Sequence, residues 1–209
     1  MPTLTHHGIP IEEYLKQQVA QQLSPARQLH VEGVARLSSH LCSQHGLAAW
    51  RGRWAGYLHD LMREWPADRL LKAAREFGIV TSEVEEAAPV LLHGPVAAAW
   101  AQRELGLEDE ELLAAVAYHT TGRPQMSVLE AVLLVADAAE PSREYPGVAR
   151  IRRWVDKDLW QACRLATDSS LRYCLRAQLP IHPLSVASRN WLLMHAGPSF
   201  PRARSTQGG

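Results

Sequence analysis

Apolar residues recur along this chain at three- and four-residue intervals, in blocks bounded by serine, proline and glycine, and that pattern predicts an all-α fold. IEEYLKQQVAQQL puts Ile11, Tyr14, Leu15, Val19 and Leu23 on one stripe, an amphipathic helix suited to packing on the domain or on a second copy in a homodimer. Ser24 and Pro25 supply a cap and a first helical proline for a helix running from Ala26 to Gly46. An apolar segment spans Leu47 to Leu61, and Pro66 opens a helix that Gly78 closes. After a short acidic turn comes VLLHGPVAAAWAQREL, ended by Gly106. Glu108 to Glu111 place acids ahead of LLAAVAYHTTG, where they complement the helix dipole. Ser127 and Glu130 form a capping box before AVLLVADAAEP. The chain thus divides into a helical extension over residues 1–22, one helical domain over 23–195, and a tail over 196–209 whose Gly, Pro and polar content predicts disorder.

Composition narrows the function classes. The 209 residues suffice for one large core, and 22 basic against 22 acidic residues leave no net charge, which argues against a general nucleic-acid binder. Cys42, Cys163 and Cys174 are odd in number and lack metal-site spacing, so reduced thiols in the cytoplasm are expected. No apolar run spans a bilayer, and MPTLTHHGIP lacks a secretion pattern, so no membrane association is expected. The seven tryptophans read as packing anchors, and His6, His7, His40, His45 and His195 as surface or structural residues.

The candidate chemistry lies in an ordered series: His30, the pair His59-Asp60, His93, His119 and Asp137. Imidazole and carboxylate suit iron, manganese, cobalt or zinc, and a mixed site leaves a position for water and a phosphate oxygen. Taken singly, each residue has a plainer explanation. An acid on a helix usually faces water, and a histidine at a helix end is favoured by the dipole. All six, however, fall in helices or at helix ends, so several ends are expected to converge on one metal.

The segments ARQLHVEGV, YLHDLMREWP, LLHGPVAA, AYHTTGRPQMSVLE, LLVADAAEPSREYPGV and LPIHPLSVASRN resemble successive blocks of the YqeK family, a branch of the HD-domain superfamily that contains bacterial symmetrical diadenosine tetraphosphate hydrolases. The similarity runs from about Leu23 to Leu193. Two positions depart from the family pattern: Arg63 replaces a lysine, and Ala138 replaces a bulky aromatic residue.

The resemblance implies an HD-type helical bundle that cleaves diadenosine tetraphosphate into two ADP. It implies one iron-like ion held by His30, His59, Asp60 and Asp137, with His93 and His119 as phosphate and proton partners. A second ion bridged by Asp60 is the alternative. Arg27, Arg63 and Arg143 stand in the matched blocks as phosphate ligands, Thr120 as a donor, and Ile181, His182 and Pro183 as nucleotide contacts; Arg123 is a further cation after the HTTG turn. Other HD chemistries, a nucleotidase or pyrophosphohydrolase acting on another nucleotide, share this ligand set, and so does a low-turnover nucleotide sensor.

Overall fold

A computed structural model describes residues 5–195; the tail expected to be disordered lies outside them. A two-strand antiparallel ribbon (Thr5–His6 with Ile9–Pro10) precedes eleven helices among the described residues: α1 Ile11–Gln22, α2 Pro25–Gln44, α3 Ala49–His59, α4 Ala67–Glu76, α5 Glu83–Ala87, α6 His93–Leu105, α7 Glu110–Tyr118, α8 Val128–Ala139, α9 Val148–Arg152, α10 Leu159–Arg176 and α11 Pro183–His195. The all-α expectation holds. No helix among the described residues is long and apolar enough to cross a membrane.

Helix α8 is the axis of the bundle. Nine of its twelve residues are buried, as the near-continuous AVLLVA run requires, and α2, α7 and α10 pack around it. Its buried Glu130 is satisfied by the Ser127 cap and by a two-pronged contact from Arg123 at 2.6 and 3.1 Å. Arg123 is thereby engaged in structure and lines neither of the cavities described below.

The tightest crossing is that of α2 on α3. A Cβ at Gly56 would strike the Ala35 backbone, and one at Gly52 would meet the Ser38 carbonyl and the Cys42 sulfur, so the two glycines let the helices approach at backbone distance. That approach sets His30 of α2 opposite His59 of α3. Helix α1 buries Ile11, Leu15 and Val19 in the same core as Trp54 and Leu58, which makes it part of the domain's packing. Trp54 is buried and five other tryptophans pack against the core, whereas Trp154 is about a third exposed. The three cysteines are free.

Helix α6 has His93 at its start; Pro89–Leu92 just before it form a 3₁₀ turn, and Pro95 falls in the first turn of α6, where its missing N–H costs no bond. The short acidic turn contains α5, which Ser82 and Glu85 close with a capping box. Gly106 does end α6, in the left-handed conformation (φ 61°).

Asp109 caps α7 through the Leu112 N–H and takes two bonds from Arg51 of α3 at 2.6 and 2.7 Å. Burial raises its pKa, but Arg51 and the capped N–H outweigh that and hold it below the usual carboxylate range. A depressed folded-state pKa gives stability that is present at neutral pH and lost as the pH falls through it. Asp109→Ala should therefore lower the unfolding free energy by about 1–2 kcal/mol at pH 7. In denaturant titrations the gap from wild type should narrow below roughly pH 4.

Candidate metal centre

All six residues of the ordered series meet at one place. His30 comes from the second turn of α2, and His59 and Asp60 from the C-terminal end of α3. His93 starts α6, His119 ends α7, and Asp137 lies in the last turn of α8. His30, His59, Asp60, His93 and His119 are buried, and Asp137 is partly so.

Three of the imidazoles are aimed by one local device. The Nδ1 atoms of His59, His93 and His119 each donate to the carbonyl three residues earlier, Gly56, Val90 and Val116, at a helix or turn end. A carbonyl only accepts, so each Nδ1 carries the proton and each Nε2 offers a lone pair inward. His30 has the same arrangement with a different acceptor, the Glu140 carboxylate at 2.9 Å from Nδ1. Oriented imidazoles of this kind, one backed by a carboxylate, are typical of metal-ligating histidines.

The inward atoms form two sets that share Asp60. Around Asp60 Oδ2 lie His30 Nε2 at 3.7 Å and His59 Nε2 at 3.6 Å; Asp137 Oδ1 completes this set at 3.1 Å from His30 and 3.9 Å from His59. Around Asp60 Oδ1 lie His93 Nε2 at 3.1 Å and His119 Nε2 at 3.8 Å. Two donors each about 2.1 Å from one ion stand roughly 3–3.4 Å apart, close to the shorter of these spacings. The Nε2 atoms also face each other in pairs, 3.3 Å for His30–His59 and 3.0 Å for His93–His119. Lone pairs that close repel unless a cation lies between them, so the donor set fits a divalent metal.

Protonation states agree. Burial pushes His119 down to about 3 and lowers His59, keeping both neutral and ready to ligate. Burial also lowers His30, but Asp137 and Glu140 outweigh it and the net shift is upward. Burial raises Asp60 and Asp137, yet the polar groups packed around them, including Arg143 beside Asp137, hold both well below the usual carboxylate range. Arg27 donates to Asp60 Oδ2 at 2.7 Å, and Arg143 to Asp137 Oδ1 and to His30 Nε2.

Two contiguous cavities open from this centre, sharing Arg63, His119, Thr120, Asp137, Ala138, Ala166, Ser170 and Tyr173. The first, about 530 Å³, carries Arg27 and Arg143; the second, about 420 Å³, carries Ile181 and His182 beside Val90 and Leu91. Arg27 and Arg143 and the 181–182 segment therefore sit in different lobes, joined by Arg63. Pro183 lines neither lobe and is the first residue of α11. The Thr120 hydroxyl is buried without a partner among the described residues. Pattern reading gave no role to Glu140, although its spacing of three from Asp137 puts both acids on one helix face. It also missed Arg172, Tyr173 and Arg176 of α10, which line the first lobe.

Residues 27–142 match the HD domain family. A symmetrical bis(5'-nucleosyl)-tetraphosphatase of Bacillus subtilis is 34% identical over 176 residues, covering 84% of this chain and 94% of that protein. One from Halalkalibacterium halodurans is 32% identical, covering 85% and 95%. A Clostridium acetobutylicum crystal structure, described as a predicted HD superfamily hydrolase involved in NAD metabolism, superposes with a TM-score of 0.83 at 28% identity, covering 87% of this chain and 96% of that one.

Asp60 belongs to both donor sets, so Asp60→Ala should abolish metal retention by elemental analysis. Glu140→Gln leaves every ligand in place but removes the charge behind His30. It should weaken metal affinity about 10–100-fold in metal-buffered titrations. Unchanged affinity would show that Glu140 does not support the centre.

Proposed function

The chain belongs to the HD-domain family, in its YqeK branch, and we propose that this metal-dependent phosphoanhydride hydrolase cleaves diadenosine tetraphosphate symmetrically into two ADP. The observation that carries the reading is the position of the metal centre at the junction of two lobes, each within the size range of a small-ligand pocket. A substrate cut at its middle needs room for a nucleotide on either side of the reacting phosphorus. The names of the Bacillus and Halalkalibacterium relatives support the same reaction.

In this reading His30, His59, Asp60 and Asp137 hold one ion, with iron favoured by the mixed nitrogen and oxygen donors. Such an ion supplies Lewis-acid polarisation of a phosphoryl oxygen and makes water acidic enough to attack near neutral pH. Arg63, on the wall common to both lobes, bridges the phosphate chain and makes no salt bridge among the described residues. Thr120 turns its unpartnered hydroxyl to a phosphate oxygen. His119, neutral with its lone pair inward, and His93 beside it accept a proton and contact phosphate. Arg27 and Arg143 place guanidinium groups where charge builds on the departing ADP. Val90, Leu91 and Ile181 wall the second lobe for the retained nucleoside, and His182 lines the same lobe as a polar contact.

A second reading rests on the way Asp60 directs one oxygen to each donor set. Asp60, His93 and His119 would then hold a second ion, with Asp60 as the bridge. Metal per chain decides between the readings: near one supports the first and near two the second.

An early time course by chromatography should contain ADP alone, and ADP should inhibit. AMP and ATP in equal amounts would overturn symmetrical cleavage, and preferential turnover of NAD would move the reading to another nucleotide. Arg63→Ala should raise KM about tenfold with metal content unchanged, since a lost charged contact costs about 1.5–3 kcal/mol and Arg63 is partly exposed. Arg143→Ala should lower nucleotide binding without loss of metal retention, because its guanidinium competes with a cation for the His30 Nε2 and Asp137 Oδ1 atoms it touches.

A further inference from the structure

Helix α10 crosses the first lobe with a face that changes character along its length. Ala166, Ser169 and Ser170 line the lobe as small side chains and leave it open. One turn further on the same wall carries Arg172 and Arg176, which line the first lobe and not the second, and Tyr173, which lines both where they meet. Arg172 and Arg176 stand four residues apart, a spacing at which like charges repel on a helix. Neither makes a salt bridge among the described residues, in contrast to Arg164 and Arg189, which share Asp168. Tyr173 lies between them in sequence, 64% exposed, a large aromatic surface at the cavity wall. Opposite, the Tyr145 hydroxyl donates to the Ala138 carbonyl at 2.7 Å, which fixes a second ring at the same lobe.

Helix-dipole compensation is the plain alternative, since both arginines lie in the last turns of α10. It accounts for their sign but not for their lining the cavity that holds Asp60 and Asp137. An unneutralised guanidinium pair matches a diphosphate through several charge-assisted bonds, and the flanking rings match the face of a base.

We infer that Arg172, Tyr173 and Arg176 form the subsite for the departing nucleoside diphosphate, so that each chain carries two nucleotide sites on either side of its metal centre. The inference rests on the symmetrical-cleavage reading for the identity of the occupant, and on the geometry of α10 for its place. The arginines hold the two phosphates of the leaving half and Tyr173 covers its base. A substrate lacking a second nucleotide leaves this subsite unfilled, which makes α10 the element that selects dinucleoside over mononucleoside polyphosphates.

The test is calorimetric binding of ADP and of pyrophosphate to the metal-loaded enzyme. Wild type should bind two ADP per chain. Arg172→Ala/Arg176→Ala should lose about tenfold or more at one site for both probes and leave the other unchanged. Tyr173→Ala should weaken ADP several-fold at that site while leaving pyrophosphate unaffected. For diadenosine tetraphosphate the double arginine variant should raise KM, and Arg172→Lys/Arg176→Lys should recover part of the loss. A single ADP in wild type, or two unchanged sites in the double variant with only its melting temperature lowered, would overturn the subsite and leave the dipole role. If wild type binds two ADP but releases AMP and ATP from the tetraphosphate, the reaction reading fails and the subsite stands.

Discussion

Four imidazoles with their lone pairs turned inward, packed around two ionised carboxylates inside an apolar bundle, set the terms for the rest of this structure. Burying an unpaired carboxylate costs several kcal/mol, so Asp60 and Asp137 persist as anions only because positive charge meets them. Arg27 and Arg143 supply part of it from the cavity side. A divalent cation held by these residues would supply the remainder and relieve the pairs of Nε2 atoms at 3.0 and 3.3 Å. Metal binding and folding stability are thereby coupled, because the ligands come from α2, α3, α6, α7 and α8 and only the assembled bundle brings them together.

The same constraint explains why the ligands cluster at helix ends. A helix leaves its last carbonyls without intrahelical partners, and a histidine three residues later can take one with Nδ1 while presenting Nε2 beyond the end. His59 and His119 do this at the ends of α3 and α7, and His93 does it on the 3₁₀ turn before α6. The backbone thus replaces, for three ligands, the carboxylate support that His30 takes from Glu140. Ligand orientation follows from local geometry, whereas ligand spacing follows from helix packing, above all from Gly52 and Gly56.

That division marks what could be read from the chain. Caps, stops and apolar stripes are local, so the capping box at Ser127, the stop at Gly106 and the core helix carrying Asp137 were legible, and the ordered His/Asp series was legible with them. The 3₁₀ turn before His93 was hidden because VLLHGPVAAAW keeps helical apolar spacing, with Pro89 just ahead of it and Pro95 within it as the signs of a break. Glu140 was hidden because its partner is 110 residues away in sequence. Gly52 and Gly56 look unfavourable inside a helix until Ala35 and Ser38 are placed against them. The split between the arginines and the 181–182 segment was likewise beyond reach, since it depends on how α10 and α11 close over the centre.

Selectivity in this chain is set by the cavity walls more than by the metal centre, whose donors suit many phosphate esters and anhydrides. Ala138 lies on the wall common to both lobes, where the YqeK family usually carries a bulky aromatic residue, and Ala166 lines both as well. Two small side chains at that junction leave the lobes continuous, so a long phosphate chain can pass from one to the other beneath Arg63. The aromatic surface that position 138 lacks is present instead on Tyr145, bonded to the Ala138 carbonyl itself, and on Tyr173 of α10. Stacking capacity therefore passes from position 138 to Tyr145 on the wall of the first lobe and to Tyr173 on the wall common to both.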